Sequence, residues 1–222
     1  MTPYYQDATT TIYHGDCREV TEWLSADVLV TDPPYGMRFA SGWGGHQGEC
    51  WVAGDDDTTT RDAAVSMWGD RPALIFGRWS VAPPTGTRAQ LTWDKGEHVG
   101  MGDLSLPWKP NTEEIYVLGR GFTSPRRDPS VLKFNAVAGT VRTTAVGRWH
   151  PTEKPVNLMS HLLTRCPQGW SVADPFMGSG TTLVAAKSLG RRAIGIEVDE
   201  RYCEIAAKRL AQEVLDFGDG AA

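Results

Sequence analysis

One segment of the chain, from residue 171 to residue 198, constrains the fold more than any other. It reads as an apolar strand, SVADPF, a small-residue turn, MGSG, and a helix, TTLVAAKSLG, closed by Gly190. A second apolar strand, RAIGIEV, follows almost at once. Two strands that are joined through a helix lie parallel in one sheet. The segment therefore predicts an α/β fold built on a mostly parallel sheet.

The rest of the chain alternates between strand and helix patterns in the same way. We predict helices in CREVTEWLSA, in NLMSHLLTRC and from about Asp199, whose side chain can cap the last helix. We predict strands in TTTIYHGD, DVLVTD, ALIFG, AQLTWDK and EEIYVLGRG. Ligands of such sheets bind beyond the carboxyl ends of the strands. Asp32 and Asp174 both stand at such an end, which makes them candidate site residues.

The turn after Asp174 is suited to binding a ligand. Its glycines let a ligand approach the backbone, and the start of the helix offers unpaired N–H groups. Glu197 ends the next strand, where an acid can accept hydrogen bonds from ribose hydroxyls. The turn lacks the G-x-G-x-x-G and G-K-[ST] patterns. A dinucleotide cofactor and a nucleoside triphosphate are therefore both disfavoured.

The strand DVLVTD is followed by an acid, two prolines and an aromatic residue. Asp32 precedes Pro33 and Pro34, and Tyr35 follows them. Prolines end a hydrogen-bonded ladder and stiffen the chain, so the acid and the ring are held rigidly at the end of a core strand. By itself the pattern is equally consistent with a rigid structural turn.

Charge is distributed unevenly along the chain. The net charge is −5, but the segment from Gly119 to Lys154 carries seven cations and two anions. A basic strip on an acidic body is a sign of contact with a polyanion, with a solvated loop as the alternative. A glycine-rich loop at about residues 36–60 is long for a connection and is expected to be functional or mobile.

Other features limit the class of protein. No apolar run reaches the roughly 18 residues that a membrane helix needs, and the amino terminus lacks the regions of a signal peptide. The four cysteines form no C-x-x-C pair, so we expect reduced thiols in a cytoplasmic protein. No metal site is predicted, and zinc binding by His46 and Cys50 is a minor alternative.

Three motifs, DPPYG, HPTEKP and DPFMGSGTT, occur in this order and carry a family resemblance. The chain resembles the amino-methylating DNA methyltransferases of the β arrangement, in which the catalytic motif precedes the cofactor motif. The resemblance implies S-adenosylmethionine as cofactor and a Rossmann-like, seven-stranded, mostly parallel sheet with one antiparallel strand and a circularly permuted motif order. It further implies one methyltransferase domain over residues 1–222, with a short target-recognition insertion at about residues 120–150.

The resemblance also assigns cofactor-binding residues. Glu197 would hold the ribose, Asp16 would lie beside the adenine, and the HPTEKP segment would close over the methionine end. The remaining cofactor residues would wrap the methionine part. By position, the segment and the turn contribute His150, Thr152, Lys154, Pro155, Asp174, Pro175, Phe176, Gly178, Ser179, Gly180, Thr181 and Thr182. Trp93-Asp94-Lys95 and Glu113-Glu114 are further family landmarks to which no chemical role is assigned.

The implied chemistry explains the DPPY motif. An exocyclic amine is a poor nucleophile because its lone pair is delocalised into the ring. Asp32 and the Pro33 carbonyl can accept hydrogen bonds from its two N–H groups and so free the lone pair. Pro33 and Pro34 fix the direction of that carbonyl, and Tyr35 can stack on the base. No covalent intermediate is needed. Methylation of a ring carbon would instead need a cysteine nucleophile, typically in a Pro-Cys pair. The chain has the reverse order, Cys166-Pro167, and this cysteine is expected to be structural.

Several alternatives remain open at this point. Asp at the first position of the motif favours N6 of adenine over N4 of cytosine. Methylation of RNA or of protein glutamine is disfavoured by Asp32 and by the motif order, and a catalytically silent DNA-binding module is disfavoured by intact Asp32 and Tyr35. The expected partner is double-stranded DNA, while a homodimer and a partner nuclease of a restriction-modification system are left open. The candidate DNA contacts are Arg126, Arg127, Lys133 and Arg142.

Overall fold

A computed structural model describes residues 1–34, 57–97, 104–124, 127–137 and 153–212. The strands are β1 Tyr5–Gln6, β2 Thr10–His14, β3 Val28–Thr31, β4 Ala73–Gly77, β5 Thr87–Asp94, β6 Thr112–Leu118, β7 Val131–Lys133, β8 Val172–Asp174 and β9 Ala193–Glu197. The helices are α1 Thr59–Trp68, α2 Val156–Leu163, α3 Thr181–Ser188 and α4 Glu200–Ala211. Within these ranges no helix is long and apolar enough to cross a membrane.

The strands form one sheet in the order β1-β2-β9-β8-β3-β4-β6-β5-β7. The pairs of β2 with β9, β9 with β8, β8 with β3 and β3 with β4 are parallel, and β6 is antiparallel to both β4 and β5. The seven strands from β2 to β5 therefore match the predicted sheet with one antiparallel member. Short β1 and β7 extend its two edges, antiparallel and parallel to their neighbours respectively.

Alternating side chains of the central strands bury both faces of the sheet. Val28, Val30 and Phe76 pack in a core with α2, α3 and α4, while Leu29 and Ile75 pack in a second core with α1. The period of two in a strand produces this division, since successive side chains point to opposite faces. The sheet is consequently covered on both sides, and its carboxyl edge is left for a site.

The predicted helix in CREVTEWLSA is wrong, because only a 3₁₀ turn forms there, at Glu22–Ser25. The fully buried Trp23 explains the difference. Its indole Nε1–H donates to the carbonyl of Cys17 at 2.9 Å, and in a continuous α-helix that carbonyl would accept the N–H of residue 21. Burial of the indole ring thus takes precedence over local helix formation.

The other predicted helices are present. Asp199 caps α4, since its side chain accepts a hydrogen bond from the Arg201 N–H, and Ala206 and Leu210 face the core. The glycine-rich loop predicted at about residues 36–60 falls largely outside the described residues, and α1 begins within its last residues. The insertion predicted at about 120–150 is described in part and contains β7.

Candidate active site

Two acids meet where the neighbouring strands β3 and β8 end. Val28 and Leu29 pair with Val172 and Ala173, so the residues beyond these strands are close together. The Thr31 hydroxyl donates to Asp174 Oδ1 at 2.6 Å and joins the two strand ends. Asp32 follows directly, and Pro33 and Pro34 after it are buried. Tyr35 lies outside the described residues.

The buried Lys154 forms an ion pair with the half-buried carboxylate of Asp32. The same ammonium group lies 2.9 Å from Glu113 Oε1, and Lys95 Nζ lies 2.8 Å from Glu113 Oε2. Lys154 Nζ also lies 4.9 Å from the centre of the Phe76 ring. The family resemblance assigns Lys154 to the cofactor, whereas in the structure Lys154 contacts Asp32, the first residue of the DPPY motif.

Ion pairing determines the protonation states of Lys154 and Glu113. Burial alone would lower the pKa of Lys154, but attraction from Asp32 and Glu113 outweighs it and raises that pKa above its usual value. Burial alone would raise the pKa of Glu113, but Lys154 and Lys95 outweigh it and lower that pKa. Both partners are therefore charged at neutral pH.

Sequence reasoning assigned no role to Glu113 and Lys95, although both belong to motifs that it identified. Lys95 follows the end of β5, and Glu113 stands near the start of the antiparallel β6, opposite Trp93. That register brings both side chains to the carboxyl edge of the parallel strands. The available signal was the grouping of charged residues at these two strand ends, in TWDK and TEE.

Asp174 is almost fully buried and is held by several hydrogen bonds. Besides Thr31, the Phe176 N–H donates to its Oδ1 at 3.2 Å, and Thr182 forms a hydrogen bond with its side chain. Burial raises the pKa of Asp174 to about 6, and the negative charge of Asp32 adds to this rise, while the hydrogen bonds oppose it. The two acids thus affect each other electrostatically.

The two glycines of the turn after Asp174 have different structural roles. Gly178 has φ +50°, and nothing lies within 4 Å of the place where a Cβ would stand, so its face is open. Gly180 has φ +82°, and an added Cβ would lie 2.8 Å from the Cβ of Ala206 in α4. Gly178 therefore leaves room for a ligand, and Gly180 permits close packing of the turn on a helix.

Glu197 binds the backbone of this turn. Its Oε2 accepts the Gly178 N–H at 2.9 Å, and its Oε1 accepts the Asp199 N–H at 2.8 Å. Burial raises the pKa of Glu197, while these hydrogen bonds oppose the rise. Each carboxylate oxygen has two lone pairs, so Glu197 can still accept bonds from a ligand. Asp16 lies at the neighbouring strand end, where Gly15 N–H donates to the Glu197 carbonyl at 2.9 Å.

Arg209 ties the turn to the HPTEKP segment, a link that the sequence did not reveal. Its guanidinium donates to the Ser179 carbonyl at 2.7 Å and to the hydroxyls of Ser179 and Thr181 at 3.0 and 3.3 Å. It also pairs with Glu153 Oε1 at 2.9 Å, with both side chains largely buried. Ser179 and Thr181 are thus engaged by Arg209. Pro155 is buried before α2. His150 and Thr152 lie outside the described residues.

A polar pocket opens beside the charged residues, between the ends of β5 and β7 and the start of α2. Its volume is about 340 Å³, and its lining residues are Asp94, Gly96, Lys133, Phe134, Asn135 and Asn157. Of the predicted DNA contacts, Lys133 borders this pocket and Arg127 is exposed. Arg126 and Arg142 fall outside the described residues.

The described thiols are unsuited to nucleophilic catalysis. Cys17, Cys166 and Cys203 are free and buried. Burial raises the pKa of Cys166 to about 11, so its reactive thiolate form is scarce at neutral pH. The structural role expected for Cys166 agrees with this environment. In the part of the chain that the structure describes, no three metal-binding side chains cluster as they would around an ion.

Comparison with known proteins gives close relatives over part of the chain and more distant ones over nearly all of it. The Type II methyltransferase M2.DpnII of Streptococcus pneumoniae is 48% identical over 75 residues, which span 32% of this chain and only 28% of that relative. The putative methylase YubD of Escherichia coli (strain K12) is 29% identical over 228 residues, covering 94% of this chain and 93% of its own length.

The fold has solved counterparts as well. The crystal structure of the M1.HpyAVI–SAM complex superposes with a TM-score of 0.65 at 23% identity, covering 91% of this chain and 99% of the other. A family model described as DNA methylase matches residues 66–208, which include β4, β6 and the whole turn after Asp174. The charged strand ends and the glycine turn thus lie in a chain that belongs to the DNA methylase family.

Proposed function

We propose that this chain transfers a methyl group from S-adenosylmethionine to the exocyclic amine of a base flipped out of double-stranded DNA, with N6 of adenine as the target. The observation that carries the proposal is the Thr31–Asp174 hydrogen bond of 2.6 Å. It joins the end of the strand that presents Asp32 to the start of the turn suited to the cofactor. A donor and an acceptor bound at these two places would be neighbours.

The residues around the turn fit S-adenosylmethionine. Gly178 leaves open space at the backbone, and Glu197 is a half-buried acid at the end of β9 that has lone pairs available for ribose hydroxyls. Asp16 lies beside Glu197, at the end of the neighbouring strand β2. The other residues proposed to contact the cofactor form the turn itself and the start of α3: Asp174, Pro175, Phe176, Ser179, Gly180, Thr181 and Thr182. When bound, this cofactor supplies a methyl group on a positively charged sulfur.

Asp32 would act on the target amine. Its carboxylate accepts an N–H hydrogen bond, which draws the nitrogen lone pair away from the ring, and the Pro33 carbonyl provides a second, fixed acceptor. As the new N–C bond forms and the C–S bond breaks, positive charge grows on nitrogen, and the carboxylate stabilises it. The amine proton then leaves to Asp32 or to water. Positioning of the two reactants contributes much of the remaining acceleration.

The choice of base rests on the first residue of the catalytic motif, which is Asp32. We expect plasmid DNA treated with the protein and S-adenosylmethionine to contain N6-methyladenine when its nucleosides are analysed by mass spectrometry. N4-methylcytosine alone would overturn the assignment of the base and keep the enzyme class. Methylated RNA or protein with unmodified DNA would overturn the substrate, and no methylated product would indicate a DNA-binding module.

Removing the charge of Glu197 should weaken cofactor binding. We expect Glu197→Gln to bind S-adenosylmethionine about tenfold or more weakly in calorimetry, because hydrogen bonds to a charged acceptor contribute roughly 1.5–3 kcal/mol. Glu200→Gln, an exposed acid in the first turn of α4, is the matched control and should bind normally. Equal affinities of the two variants would contradict the role of Glu197.

We propose that DNA lies along the carboxyl edge of the sheet, over the polar pocket. Lys133 borders that pocket and Arg127 is exposed in the same segment, so both can reach phosphates. Arg126 and Arg142 complete the proposed contacts. DNA affinity of the four alanine variants, measured over a range of salt concentrations, tests this, since each lost phosphate contact lowers the salt slope by roughly one unit.

We also infer that residues 1–222 act as one methyltransferase domain in the cytoplasm, where DNA is accessible. A single cooperative unfolding transition, shared by all spectroscopic probes, would support one domain. Separate transitions for two parts of the chain would oppose it. Cell fractionation tests the location.

A further inference from the structure

The buried Lys154 links the Asp32 carboxylate to a second half-buried acid, Glu113. Its ammonium group contacts Asp32 and lies 2.9 Å from Glu113 Oε1. The side chains of Lys154 and Glu113 are only 9% and 13% exposed. Water therefore screens these charges weakly, and the pairs differ from the solvated salt bridges of a protein surface. A change of charge here should be felt strongly by Asp32.

The backbone around Lys154 is held from both sides. On one side Glu153 pairs with Arg209, which donates to the Ser179 carbonyl in the turn after Asp174. On the other side buried Pro155 leads into α2. The segment thus lies between the turn and the catalytic strand, with its lysine directed to Asp32.

Among the described residues, charged side chains from four parts of the chain form a cluster that includes Asp32. Lys154 precedes α2, Glu113 lies in β6, Lys95 follows β5, and Asp174 ends β8. If the Lys154 charge were removed, the described residues of this cluster would comprise three carboxyl groups, those of Asp32, Glu113 and Asp174, and the Lys95 ammonium, which pairs with Glu113. Such crowding favours the protonated form of a carboxyl group, whereas an adjacent cation favours the ionised form.

We propose that Lys154 is a positioning residue for methyl transfer, which orients the Asp32 carboxylate and keeps it ionised between Glu113 and Asp174, and that it does not bind the cofactor. The inference rests on the proposed function, in which ionised Asp32 accepts the N–H of the target amine. An uncharged Asp32 accepts that bond poorly, so loss of the lysine charge restricts activity to higher pH.

The test compares Lys154→Met, which is similar in length without charge, with Lys154→Arg, which keeps the charge. Single-turnover methylation of plasmid DNA is measured from pH 5.5 to 8.5, and S-adenosylmethionine affinity by calorimetry. For Lys154→Met we expect normal cofactor affinity and an acid limb moved upward by about 1–3 pH units, the effect of a contacting opposite charge. Lys154→Arg should restore the wild-type profile. Lys208→Met, at an exposed lysine paired with Glu204, should leave it unchanged.

Unpaired carboxylates can also prevent folding, so a second variant accompanies the first. In Lys154→Met/Glu113→Gln one cation and one anion are removed together, and the upward movement of the acid limb should persist because Asp32 still lacks its contacting cation. An unmoved acid limb in whichever of the two variants folds overturns the inference. Loss of cofactor affinity with an unmoved profile would make Lys154 a cofactor ligand. If wild type itself methylates no DNA, the proposed function fails instead.

Discussion

Asp32→Asn should lower the single-turnover rate of DNA methylation by about a hundredfold or more, the usual effect of removing one group that stabilises transition-state charge. The amide has the shape of the carboxylate but lacks the negative charge that would stabilise the developing positive nitrogen. Affinity for S-adenosylmethionine should stay within a few-fold of wild type, because the proposed cofactor contacts come from the turn after Asp174 and from Glu197. The loss then falls on the chemical step.

Two comparisons make this measurement decisive. Asp70→Asn changes an exposed acid just after α1 and should methylate DNA at the wild-type rate. Thermal unfolding of Asp32→Asn checks that the fold is intact, since the asparagine oxygen can still accept a hydrogen bond from Lys154. If the folded variant methylated within a few-fold of wild type, Asp32 would not be the acceptor of the amine hydrogen bond.

The sequence could predict the central part of this fold because the signals there are local. The strand–turn–helix–strand pattern from residue 171 to residue 198 is found as β8, α3 and β9, and Asp199 caps α4. Apolar strands that end in acids also placed Asp32 and Asp174 at the same edge, where the structure has them. Each of these predictions uses residues that are adjacent along the chain.

The features that were missed depend on contacts between distant residues. Lys154 meets Asp32 across 122 positions, and Arg209 meets the Ser179 carbonyl across 30. No local pattern specifies which of several charged side chains becomes a partner after folding. The helix predicted in CREVTEWLSA is wrong for the same reason, since burial of Trp23 favours the 3₁₀ turn at Glu22–Ser25. Helix α1 is not predicted either, because the apolar residues of TTRDAAVSMW are adjacent to one another and give a weak helical period.

The register of β6 offers a test of how the sheet holds the site. Gly119 directly follows β6 and has φ +66°, and an added Cβ would lie 2.5 Å from the carbonyl carbon and oxygen of Arg71 and 2.6 Å from the Pro72 nitrogen. These are backbone atoms of the segment that enters β4, so they cannot rotate away as a side chain can. Leu118 pairs with Ala73 beside them. Any side chain at position 119 must therefore push β4 and β6 apart.

Gly119→Ala should lower the free energy of unfolding by about 2–4 kcal/mol, which combines left-handed backbone strain with overpacking. For a chain of this length the melting temperature should fall by roughly 5–15 °C. Gly86→Ala is the matched control, since Gly86 has φ +85° but nothing within 4 Å of its Cβ position. That control should lose about 1 kcal/mol, from backbone strain alone.

Equal losses in the two variants, measured by urea unfolding, would mean that the contact of Gly119 with the Arg71–Pro72 backbone does not constrain β6. Because β6 also carries Glu113, an excess loss at position 119 would show that the strand supporting the charged residues is fixed by steric contact at its far end.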